Sequence, residues 1–68
     1  MKITITSDYI TLGQFLKFAG IVHQGGEAKA FLATHKVVIN GEEDERRGRK
    51  LRDGDTLVIE GVDFEIVK

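Results

Sequence analysis

Val37-Val38-Ile39-Asn40-Gly41 decides how this chain folds. Three β-branched residues favour a pleated strand. Asn-Gly then supplies the two positive-φ positions that a tight type I′ hairpin turn requires. The stretch reads as a strand that reverses sharply. Beyond it, residues 42–50 are almost wholly charged and carry no buried periodicity. Asp53-Gly54-Asp55 is a second turn, and Thr56-Leu57-Val58-Ile59 a second β-branched strand. Gly61-Val62 suits a reversal into Phe64-Glu65-Ile66-Val67.

Working back from Val37, the period changes from two to 3.6. Leu12, Phe15, Leu16 and Ala19 follow the spacing of one buried helical face. Thr11 with Gln14 has capping-box spacing, and Ile10 with Phe15 fits a hydrophobic staple. Gly20 suits the left-handed residue that ends such a helix. The spacing predicts a helix over about 12–19. Ile21-Val22-His23-Gln24 connects it to a second helix beginning near Gly25 or Gly26, with Ala28, Phe31 and Leu32 on one face. Lys2-Ile3-Thr4-Ile5-Thr6 alternates as a half-buried strand. The expected fold class is α+β: a helical hairpin packed on a small antiparallel sheet, as one domain over residues 1–68. Phe15, Leu16, Phe31, Leu32 and Ile39 are expected to meet in its core.

Composition bounds the function. The chain has 68 residues, 41% hydrophobic and 31% charged. That is globular rather than disordered. It has no Cys, which excludes disulfides and thiolate zinc sites. No apolar run approaches the roughly 20 residues of a membrane span. The first residues lack a signal-peptide core. A cytoplasmic protein without a membrane partner is expected. The formal net charge of −1 taken globally argues against a nucleic-acid binder. The distribution argues the other way: Arg46, Arg47, Arg49, Lys50 and Arg52 are half of the ten Lys and Arg.

The order of motifs resembles the S4-type RNA-binding domain, also called the αL motif. A capped helix contains Leu16-Lys17, and a second carries Glu27-Ala28-Lys29 with Phe31-Leu32. Val37-x-Ile39-Asn40-Gly41 follows, then Asp53-Gly54-Asp55-x-Leu57. Thr11 to Lys17, Gly25 to Lys29 and Arg46 to Leu51 are further similar to the small stand-alone bacterial YaaA-like members. The chain departs from the wider family where Gly25-Gly26 replaces a frequent Ser-Arg and where His35 replaces a frequent Gly. The resemblance implies non-enzymatic binding of structured RNA, ribosomal RNA foremost, in ribosome assembly or maturation.

The residues themselves nominate where such binding occurs. Arg46, Arg47, Arg49 and Lys50 neutralise phosphate and release counterions, and the planar arginine fork matches phosphate oxygens. A merely solvated charged surface, balanced by Glu42, Glu43, Asp44 and Glu45, is the plain alternative. Gly25 and Gly26 at a helix start, with Lys29 one turn along, suit an anion, but equally a tight turn. Lys17 lies off the apolar face and is exposed. His23 and His35 have no companion metal ligands, so neither a metal nor another cofactor is expected. No nucleophile–base pair suggests an enzyme or a small-molecule substrate. The rival reading is a small protein-interaction module without RNA binding, using an exposed strand edge.

Overall fold

The computed structural model describes residues 1–68; for Gly25 only its place in a helix is described, and its surroundings lie outside the described residues. The elements are β1 (Lys2–Thr4), β2 (Ile10–Thr11), α1 (Leu12–Phe18), α2 (Gly25–Thr34), β3 (Val37–Ile39), β4 (Glu42–Glu43), β5 (Lys50–Leu51), β6 (Thr56–Ile59) and β7 (Val62–Val67). Five strands form a sheet in the order β1-β7-β6-β3-β4. β2 and β5 make a separate two-stranded antiparallel ribbon.

The sheet is mixed, which corrects the antiparallel expectation. β3, β4, β6 and β7 pair antiparallel, but β1 runs parallel to β7, with Lys2 opposite Glu65 and Thr4 opposite Val67. Alternation within a strand encodes which face is buried and not which way its neighbour runs. Parallel strands need a long crossover, and here the rest of the chain supplies it.

Alternation along the strands places Val37, Ile39, Leu57, Ile59, Phe64 and Ile66 on one buried face. α1 and α2 pack on each other, and they contribute Leu12, Phe15, Leu16, Ala28 and Leu32 to the same core. Phe15 meets Phe64 edge to face, with ring centres 5.3 Å apart, the arrangement the ring quadrupoles favour. Phe31 departs from expectation. It lies at the core's margin, half-buried, with its ring stacked on His35 at 4.1 Å between centres. His35 ends α2 and reaches Glu60 Oε1 at 3.1 Å.

The two hairpin turns use positive-φ pairs. Asn40 and Gly41 have φ of 51° and 85°, the type I′ expectation. The second reversal centres one residue earlier than expected, on Glu60 (φ 50°) and Gly61 (φ 78°). Val62 already pairs with Ile59. Asn40 also ties the turn down: its Oδ1 accepts from Thr56 N at 3.0 Å, and its Nδ2 donates to Asp55 Oδ1 at 3.0 Å.

Candidate nucleic-acid interface

The start of α1 organises the basic segment. Thr11 and Gln14 form the expected capping box, with Gln14 N donating to Thr11 Oγ1 at 3.2 Å and Thr11 N to Gln14 Oε1 at 2.9 Å. Two more first-turn amides need acceptors. The basic segment provides both: Leu12 N donates to Arg49 O at 2.8 Å, and Gly13 N to Arg47 O at 3.0 Å. The backbone of residues 47–49 is thus bound to the helix start. Its carbonyls, and not an external anion, satisfy these amides.

Gly13 is where three elements converge. A Cβ there would sit 3.6 Å from Arg47 O, 3.7 Å from Arg47 Cβ and 3.9 Å from Ala28 Cβ. Arg47 of the basic segment therefore lies near Ala28 in the first turns of α2. Lys29 and Gly26 are exposed. α2 begins at Gly25, preceded by Gln24, which makes no side-chain cap. The expectation for Gly25 itself lies outside the described residues. Lys17 is exposed in the last turn of α1.

The basic side chains differ in their freedom. Arg46 donates from Nε to Asp44 Oδ1 at 3.0 Å and from Nη2 to Oδ2 at 2.7 Å. Arg49 donates from Nη1 to the same Oδ2 at 3.2 Å. The Asp44 side chain is only 9% exposed, against 70% for Arg46 and 29% for Arg49. The Arg46 guanidinium holds the Asp44 carboxyl well below the usual carboxylate range, overcoming the burial that alone would raise it. The carboxylate in turn raises the Arg46 value. Arg47 is exposed and makes no ion pair among the described residues. Lys50 sits in β5 with its Nζ 4.9 Å from the centre of the Tyr9 ring, and the Arg52 guanidinium carbon lies 5.4 Å from that centre.

The roles of Asp44 and Tyr9 escaped the sequence reading, and Arg52 entered it only as one of five clustered basic residues. Asp44 is a brace for two arginines and not simply part of a solvated acidic run. Tyr9 is an aromatic face for two cations. Arg52 extends the basic segment past Lys50. The first depends on a loop conformation, and the other two on the β2–β5 pairing, which sets Ile10 opposite Leu51. Two-residue strands leave too little periodicity to read.

No helix is long and apolar enough to cross a membrane. Among the described residues no group of three or more His, Asp or Glu side chains is placed to hold a metal ion. No solved structure matches the chain significantly. A curated relative from Bacillus subtilis (strain 168), named as probable ribosome maturation protein RlbA, is 53% identical over 66 residues, covering 96% of this chain and 93% of the relative. The S4 domain family matches residues 3–67. That match spans both helices, the turn at Asn40-Gly41 and the basic segment, and the chain belongs to the S4 domain family.

Proposed function

We propose that this protein binds structured RNA, ribosomal RNA foremost, without catalysing a reaction, and acts in ribosome maturation as one domain over residues 1–68. The observation that carries the reading is the basic segment: its backbone is fastened to the start of α1, while Arg46, Arg47 and Lys50 remain exposed. In this reading the start of α2, with exposed Gly26 and Lys29, supplies the adjoining side of the surface, and exposed Lys17 on α1 adds a further cation. The relative's printed role and its 53% identity support the ribosomal context.

The mechanism is recognition of backbone geometry. A-form RNA hides its major-groove base edges, so phosphates and shape are the accessible signal. A backbone held by two hydrogen bonds presents its cations with less ordering cost than a free loop would. Arg47 is poised for phosphate directly. Arg46 exchanges part of its contact with Asp44 for phosphate oxygens.

The test is a salt titration of binding to a ribosomal RNA fragment, for the wild type and for a variant with Arg46, Arg47, Arg49 and Lys50 changed to Gln. Each phosphate contact contributes about 0.7–0.9 to the slope of log affinity against log salt. The variant should lose about 2–3 units of slope and bind far more weakly at low salt, with a retained cooperative melt. A folded variant with wild-type slope and affinity would reduce the segment to a solvated surface.

A further inference from the structure

Phe18, the last residue of α1, is 66% exposed, the most exposed of the five aromatic side chains. A lone exposed ring is ordinary, but this one walls an open groove of about 760 Å³. Tyr9, itself 39% exposed, lines the same groove. Buried Ile5 and half-buried Ile10 give it an apolar lining. Gln14 contributes a polar group. Its Oε1 is taken by the Thr11 amide, which leaves Nε2 as a donor with no partner among the described residues.

The charges around the groove narrow the occupant. Lys50 and Arg52 stand over the Tyr9 ring, and Lys17 adjoins Phe18 and Gln14 in a neighbouring hollow. Asp8, the acidic group of the lining, is engaged by Lys68 Nζ at 2.8 Å. An apolar peptide side chain would use the rings but neither the cations nor the amide. A nucleotide uses all three: a flat π-face, a polar edge and an anionic tether.

We propose that this groove holds an unpaired nucleobase, stacked on Phe18, from an RNA strand whose duplex portion lies on the basic segment. The inference rests on the RNA-binding reading above and deepens it. The groove adjoins that surface at Tyr9, which lines the groove and lies beneath Lys50 of the basic segment. The target is then a duplex with an adjacent single-stranded flank or bulge, and not a plain duplex.

The experiment uses the full chain and three short RNAs of common sequence: a blunt duplex, the duplex with a single-stranded adenine tail, and the duplex with an abasic tail. The abasic tail adds the same phosphates and no base. The wild type should bind the adenine tail about tenfold more tightly than the abasic one, in the range that base–aromatic stacking supplies. A 2-aminopurine in the tail should be quenched on binding. Phe18→Ala should erase both effects and keep the blunt-duplex affinity and the melt; Phe18→Tyr should restore them. Equal wild-type affinity for the two tails overturns the groove assignment and leaves duplex binding by the basic segment standing. A tail effect that survives in Phe18→Ala places the base elsewhere and equally overturns it. Failure to bind any of the three overturns both readings.

Discussion

Asp44 grips Arg46 at two points, Nε to Oδ1 at 3.0 Å and Nη2 to Oδ2 at 2.7 Å. The same carboxylate also accepts from Arg49 and from the backbone N–H of Arg46 at 2.9 Å. One nearly buried carboxylate therefore shapes the segment and neutralises part of its charge. These roles pull binding in opposite directions.

Replacing Asp44 with Asn separates them. The change removes one negative charge and frees Arg46 and Arg49, so the salt dependence of RNA binding should steepen by about 0.7–0.9 for each new phosphate contact. Hydrogen exchange at residues 46–49 should accelerate, because the bond to Arg46 N weakens. A slope unchanged from wild type would show that the freed arginines do not reach phosphate.

The pH dependence of stability follows from the same carboxylate. Its folded value is depressed, so ionised Asp44 favours the folded chain. Its contribution is complete above the ordinary carboxylate value of 3.8 and is lost as the pH falls below it towards the folded value. Denaturant melts across the acid range should show a shallower loss of stability for Asp44→Asn than for wild type.

Asn40 is predicted to resist substitution despite its exposure. Asn40→Ala places an ordinary side chain at φ 51° and removes the hydrogen bonds to Thr56 N and Asp55 Oδ1. Left-handed backbone costs an Ala about 1–2 kcal/mol, and lost hydrogen bonds add about 0.5–1.5 kcal/mol each. A loss of about 2–5 kcal/mol should appear in urea melts. Asn40→Gly should recover the backbone part alone.

Phe15 and Phe31 should separate cleanly. Phe15 is fully buried against Phe64, and Phe15→Ala should cost about 3–5 kcal/mol. A chain this size has only about 3–10 kcal/mol in total, so that variant should be largely unfolded. Phe31→Ala removes a half-buried ring stacked on an exposed His35. It should cost about 1–2 kcal/mol and leave a cooperative melt.

Gly13→Ala should raise the melting temperature. A Cβ there meets its neighbours at 3.6–3.9 Å, ordinary contact distances. Alanine gains about 0.5–1 kcal/mol over glycine within a helix. A drop instead would mean that the methyl group displaces the Arg47 carbonyl from Gly13 N.

What the residues made legible tracks the range of the interaction that sets each feature. The capping box, the face of α1 and the turn at Asn40-Gly41 depend on neighbours within four positions, and all three appear in the structure. Phe31 has the right spacing for the core, but burial also depends on how far α2 extends over the sheet, and the sheet leaves its ring at the edge. The direction of β1 and the pairing of β2 with β5 depend on partners about 40 to 60 positions away. At the interface, charge density nominates residues 46–50. It cannot tell a free arginine from a braced one, because that distinction is made by the conformation around Asp44.

The pairing of β1 with β7 also has a kinetic consequence. A ribosome makes β1 about 60 residues before β7, so this edge strand must wait, unpaired, until the helices and the other strands between them have emerged. Contacts between positions so far apart are closed late and slowly. Folding should therefore proceed from the β3–β4 and β6–β7 hairpins towards β1, with the Met1 amine reaching Asp63 O among the last contacts made. Until β7 emerges, residues 2–4 are an open strand exposed to mispairing.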